Sequence, residues 1–224
     1  MQRRRFLLGL TQLQGLIGFK VVNMKADDDA LYPPERVTLE FRVREQPEIN
    51  EANVGLSIRG SGYQKKYPGG VVSVNGVELK EAPLSSQGVW YKATMPTAKQ
   101  YDLTFTFGDR SGGITYRLAS RVFRPRLPTE IVRGKGLVIE FAGAPLRGDA
   151  RPSLTIEPEK KTNPRWFRWT PQVDADTLIL AASELTMVPL GAASLGATLF
   201  IDEAQGQVRA SLTIVYRKRV AVVD

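Results

Sequence analysis

From residue 36 onward, apolar and polar side chains alternate with a period of two. Over 36–44, Val37, Leu39, Phe41 and Val43 fall on one side, and Arg36, Thr38, Glu40, Arg42 and Arg44 on the other. Successive side chains of an extended chain point to opposite faces, so the segment predicts an antiparallel strand with one buried face. Val54, Leu56 and Ile58 repeat the pattern. Val72 and Val74 then run into Asn75-Gly76 and return through Val77 and Leu79. An Asn-Gly pair supplies the positive φ angles of a type I′ turn, which predicts a hairpin over 71–80. Further strands are expected at 89–95, 101–107 and 114–123, with Tyr101, Leu103, Phe105 and Phe107 on a common face.

The alternation restarts with Leu137-Val138-Ile139-Glu140-Phe141, and strands are predicted at 154–157, 165–171, 177–181, 197–201 and 208–216, with a short helical turn within 185–195. Between the two strand-rich halves stand Pro125 and Pro128, each lacking the N–H that a strand ladder needs. The expected organisation is therefore a β-sandwich over 25–124, a proline-containing linker at 125–128 and a second β-sandwich over 129–224. Short strands with turns at intervals near ten residues have this appearance. Over 36–224 the layout resembles the immunoglobulin-like domains of bacterial envelope proteins. It implies an all-β fold of two tandem immunoglobulin-like antiparallel β-sandwiches, without the buried cysteine pair of antibody domains. Such sandwiches host many unrelated activities, so the resemblance names no reaction.

Residues 1–24 carry a different signal. Arg3-Arg4-Arg5-Phe6-Leu7, followed by a moderately apolar stretch broken by Thr11, Gln12 and Gln14, resembles a twin-arginine export leader. Leu16-Ile17-Gly18-Phe19 is similar to a lipoprotein acylation site with phenylalanine in place of the cysteine that would carry the lipid. The stretch is too short and too polar to span a bilayer, which takes about 20 largely apolar residues. This start implies export to the periplasm or cell envelope. The competing expectation is a first strand over 16–24 with Val21 and Val22 in the core.

Composition narrows the chemistry. The 224 residues include neither cysteine nor histidine. That removes disulfides, thiolate nucleophiles, imidazole general bases and zinc sites with nitrogen or sulfur ligands. The acid–base candidates left are the carboxylate clusters Asp27-Asp28-Asp29, Asp174-Ala175-Asp176 and Asp202-Glu203, which read as solvated turns rather than as a metal site. No cofactor is expected. The net charge of +8 points to an acidic partner.

Two segments are binding candidates. In 163–170 the alternation puts Trp166 and Arg168 on one face and Phe167 and Trp169 on the other, so Trp169 is expected in the core, and an exposed Trp166 beside Arg168 would stack on a sugar ring or a nucleobase unless Arg168 simply packs over it. The glycine-rich loop over 60–70 carries Tyr63, Lys65, Lys66 and Tyr67, a composition suited to a glycan or an acidic surface but without the order of a phosphate-binding loop. The expected function is a non-catalytic, envelope-associated binding or structural protein that recognises a macromolecule or polysaccharide. No specific nucleic-acid binding is implied. The alternatives are a periplasmic pilus-assembly-type chaperone, which also uses two immunoglobulin-like domains, and a glycan-active enzyme working through Asp174 and Asp176.

Overall fold

The structure, a computed structural model, describes residues 36–59, 70–83, 89–108, 112–143, 145–146, 148–159 and 166–224. The expected leader at 1–24, its competing strand at 16–24, Asp27-Asp28-Asp29, and the loop residues Tyr63, Lys65, Lys66 and Tyr67 lie outside the described residues. The first half supplies β1 (Thr38–Gln46), β2 (Glu51–Arg59), β3 (Val72–Val74), β4 (Val77–Glu78), β5 (Lys80–Pro83), β6 (Val89–Met95), β7 (Gln100–Thr106) and β8 (Gly113–Ala119). The second supplies β9 (Phe123–Pro125), β10 (Glu130–Val132), β11 (Leu137–Gly143), β12 (Ala150–Pro158), β13 (Phe167–Trp169), β14 (Gln172–Asp174) and β15 (Thr177–Leu180). A single helical turn, α1 (Ala182–Leu185), then leads to β16 (Gly191–Gln205) and β17 (Val208–Val223).

The fold is all-β and layered. One large sheet runs β13-β12-β16-β17-β1-β2-β6-β5, with β10 added to β17. Two four-stranded sheets, β4-β3-β7-β8 and β14-β15-β11-β9, make the second layer, one from each half of the chain. Interlayer contacts identify the packing. Phe41 of β1 meets Tyr116 of β8 edge-on at 6.5 Å, and Phe123 of β9 meets Tyr216 of β17 edge-on at 6.2 Å. The expected inward residues of β1 and β7, including Leu39, Phe41, Tyr101, Leu103 and Phe105, are all essentially inaccessible to water.

The two halves are not separate domains joined by a linker. β1 pairs in parallel with β17, Leu39 opposite Val208, Phe41 opposite Ala210 and Val43 opposite Leu212, so the large sheet takes strands from both sides of Pro125 and Pro128. The register explains the join: both strands bury the same phase, and a slip of one residue would turn one of them inside out. All described residues fall within one unit. Residues 125–128 are themselves held by the sheets, with Pro125 opposite Phe141 in the β9–β11 ladder and the Arg126 N–H donating to the Glu140 carbonyl at 2.8 Å.

Other local differences have simple causes. The hairpin at 71–80 forms as expected, with Asn75 and Gly76 at φ 50° and 77°. The strand expected over 114–123 is divided, because the chain leaves one front sheet after β8 and enters the other at β9. The helical turn lies at Ala182–Leu185, N-terminal to most of the expected window, and 191–196 is strand. Its Ala193 and Leu195 are buried, but the small residues between them give little period-two contrast. Among the described residues no helix is long and apolar enough to cross a membrane.

Candidate functional site

The outer face of the large sheet, away from the second layer, carries a cleft. In β6, Tyr91 faces the core opposite Leu56 of β2, which turns Trp90 and Lys92 outward. In β1, burial of Phe41 and Val43 turns out Arg42 and Arg44. The resulting cleft of about 620 Å³ is lined by Arg42, Arg44, Lys80, Trp90 and Lys92, with Asn53, Thr94, Ser211 and Thr213 as neutral polar neighbours.

Gly55 provides the floor. A Cβ at this position would lie 3.1 and 3.2 Å from two ring carbons of Trp90, so the indole rests where only a glycine leaves room. The Arg42 guanidinium stands 4.8 Å from the ring centroid, a cation–π distance. Arg42 also pairs with Glu40 at 3.2 Å, and Glu40 is shared with Arg59 at 3.1 Å. The indole and the carboxylate together hold this guanidinium at the mouth of the cleft.

The charge arrangement is unfavourable for the fold itself. Lys80 of β5 lies directly opposite Lys92 of β6, and like charges in that position repel. The row continues through Gly55 to Arg42. Among the described residues no ion pair is made by Lys80, Lys92 or Arg44. Beside them, the Asn53 side chain is fixed by donating to Glu51 at 2.8 Å and accepting from Thr94 at 3.0 Å. Chemically, the cleft offers convergent cations, an aromatic surface and oriented hydroxyl and amide groups. No described side chain lining it is a carboxylate.

A second crevice of about 450 Å³ opens where the two front sheets meet over β1 and β17. Glu45 at its base is 3% exposed and accepts a 2.7 Å hydrogen bond from the Tyr101 hydroxyl, which in turn accepts from the Ala98 N–H at 3.2 Å. Burial pushes the Glu45 carboxyl above its ordinary range, while hydrogen bonds from Tyr101 and Ser120 pull it back. Burial and the Glu45 carboxylate both push the Tyr101 phenol up. Tyr116, buried and donating to Glu203 at 3.0 Å, is pushed up to about 12. These carboxylates satisfy interlayer hydroxyls.

Of the residues expected to bind, Trp166 is 60% exposed at the edge of the large sheet, just before β13. Arg168 lies on the outer face, donating from Nε to Ser153 at 3.0 Å with its guanidinium 5.1 Å from the Phe200 ring. Phe167 and Trp169 stack at 5.9 Å and take inward positions opposite Ile156 and Leu154, as the alternation implied. Trp169 is only half-buried, because β13 is an edge strand. Asp174 and Asp176 do not share a strand face: Ala175 between them has φ 48°, and the segment is the β14–β15 turn. Asp202 pairs with Arg151.

Trp90, Arg42, Arg44, Lys80 and Lys92 were not singled out from the sequence. The alternation in 89–95 already turns Trp90 away from Tyr91, and that signal was available. No family model matches the chain, and no curated protein matches it.

Proposed function

We propose that this chain is a non-catalytic binding protein of the bacterial cell envelope, built on a layered immunoglobulin-like β-sandwich, that recognises an anionic polysaccharide through the outer face of its large sheet. The observation that carries this reading is the cleft in which Trp90 and Arg42 stand beside Arg44, Lys80 and Lys92. Two lysines held face to face on adjacent strands cost stability in the free protein, and an anion placed between them offsets that cost. Sugar hydroxyls would exchange hydrogen bonds with Asn53, Thr94, Ser211 and Thr213, and the aromatic surface would take the apolar face of a pyranose ring. The export part of the reading rests on the arginine-rich start and the moderately apolar stretch after it.

Calorimetric titration with polygalacturonate, a carboxylated polymer, and with a neutral glucan tests the binding. Polygalacturonate should bind and the glucan should not, and affinity should fall as added salt shortens the range of the charges. Arg44→Gln with Lys92→Gln should weaken binding by about tenfold or more. Equal binding of both polymers, or none of either, would refute the reading. Fractionation with mass spectrometry of the native N-terminus tests export: an intact Met1 on a cytosolic protein would remove that part.

A further inference from the structure

The outer face holds a second cation–aromatic unit, and its place in the register matters. One row of the large sheet crosses Thr94 of β6, Asn53 of β2, Arg44 of β1, Thr213 of β17, Phe200 of β16 and Arg151 of β12, each directly opposite the next. The row contains no carboxylate. It contains Phe200 of the Phe200–Arg168 unit, in which Arg168 is anchored by Ser153, and passes beside the Trp90–Arg42 unit, with Arg42 one row from Arg44 and Trp90, opposite Ser57, one row farther. The neighbouring rows carry Asp202, paired with Arg151, and Glu51, which accepts from Asn53 at 2.8 Å; Glu40, one row farther than Asp202, is held by Arg42 and Arg59.

Four strand spacings separate Trp90 on β6 from Phe200 on β16, which at about 4.8 Å each makes a track of about 19 Å across the strands. Its two aromatic units lie on opposite sides of the parallel β1–β17 seam, one built from each half of the chain. That seam is what puts them on a single surface. Had the halves been separate domains, the two units would have no fixed relation.

We propose that the ligand is an extended acidic polysaccharide lying across the strands, bound at both cation–aromatic units at once, so that affinity depends on chain length. The proposal rests on the binding reading above and goes beyond it in naming the direction and the two-ended mode. Linking two weak contacts through one rigid ligand turns the second contact into an intramolecular event, which raises affinity sharply once the ligand reaches both. Arg168 is then a ligand contact for long chains only, whereas Arg44 and Lys92 serve chains of any length.

The test is titration of the full chain with galacturonate oligomers of defined length, from ones much shorter than the track to ones longer than it. Affinity should rise by about tenfold or more across the length that spans both units. Arg168→Gln should abolish this rise, bringing long-oligomer affinity down to that of short oligomers, and Arg168→Lys should restore part of it. Circular dichroism and thermal melting verify that each variant is folded. If long oligomers bind no better than short ones, or Arg168→Gln weakens both alike, the two-ended mode is wrong while the binding reading stands. If no oligomer or polymer of galacturonate binds, both fall. Tighter binding of oligothymidylate than of galacturonate oligomers of matched charge would overturn the polysaccharide assignment in favour of single-stranded nucleic acid.

Discussion

Tyr101→Phe removes one oxygen atom from the interior and isolates the most deeply buried carboxyl group described. In the native protein the Tyr101 hydroxyl donates to Glu45 at 2.7 Å, and Glu45 is 3% exposed, so water does not readily replace the lost donor. A hydrogen bond to a charged group contributes about 1.5–3 kcal/mol, and leaving a buried acceptor short of a donor costs a similar amount. The Ala98 N–H also loses its acceptor, although it lies nearer the surface. A loss of about 2 kcal/mol at neutral pH is expected, or roughly 4–8 °C in Tm for a chain of this size. The pH dependence separates this account from simple loss of packing. Burial raises the Glu45 pKa above its ordinary value, so the folded state prefers the protonated form. The stability that Glu45 contributes is complete below its unfolded pKa and is lost as pH rises through the higher folded value, by about 1.4 kcal/mol for each unit between the two. Tyr101 is one of the groups restraining that rise. Tyr101→Phe should therefore raise the folded pKa further, cost most at pH 7–8 and cost least near pH 4. Glu45→Gln, which keeps an acceptor for Tyr101 and removes the buried charge, should match or exceed wild-type stability at pH 8, with the gap closing toward pH 4. Urea denaturation of both variants across this pH range measures each effect. If Tyr101→Phe costs the same at pH 4 and pH 8, or Glu45→Gln is destabilising only at high pH, then Glu45 is not a desolvated carboxylate and the reasoning fails.

Four further outcomes are expected. Gly143→Ala should cost about 3 kcal/mol or more in chemical denaturation, since its Cβ would lie 1.9 Å from the Val122 carbonyl oxygen on a backbone with φ 155°. Gly55→Val should lower polygalacturonate affinity by about threefold to tenfold with the sheet intact by circular dichroism, because the new side chain occupies the seat of the Trp90 ring. Trp166→Ala should cost under about 1 kcal/mol and Trp169→Ala about 2–3 kcal/mol, the latter below the range for a fully enclosed aromatic because Trp169 is half-buried; equal costs would show that their faces are not distinct. Phe41→Ala should cost about 3–5 kcal/mol in urea, because the ring is wholly buried between the layers against Tyr116.

What the sequence determined by itself was local and periodic. The alternation of Val37, Leu39, Phe41 and Val43 decides which side of β1 is wet, whatever strand lies next to it, and the Asn75-Gly76 pair decides its turn because the φ angles are properties of those two residues. The same logic separated the exposed Trp166 from the inward Trp169. Partner choice was decided elsewhere. β1 and β17 lie at opposite ends of the described chain, and nothing in either strand states that they pair in parallel; only simultaneous burial of both apolar phases against the second layer selects that seam. Pro125 and Pro128 looked like a boundary because proline breaks ladders, yet β9 tolerates Pro125 at its end in the β9–β11 ladder. The cleft followed from the same nonlocal step. Arg42, Gly55, Lys80, Trp90 and Lys92 come from four strands, each an ordinary outward residue in its own segment. They form a site only because cross-strand register sets a lysine opposite a lysine and a glycine beneath an indole, and register belongs to the folded sheet rather than to any one strand.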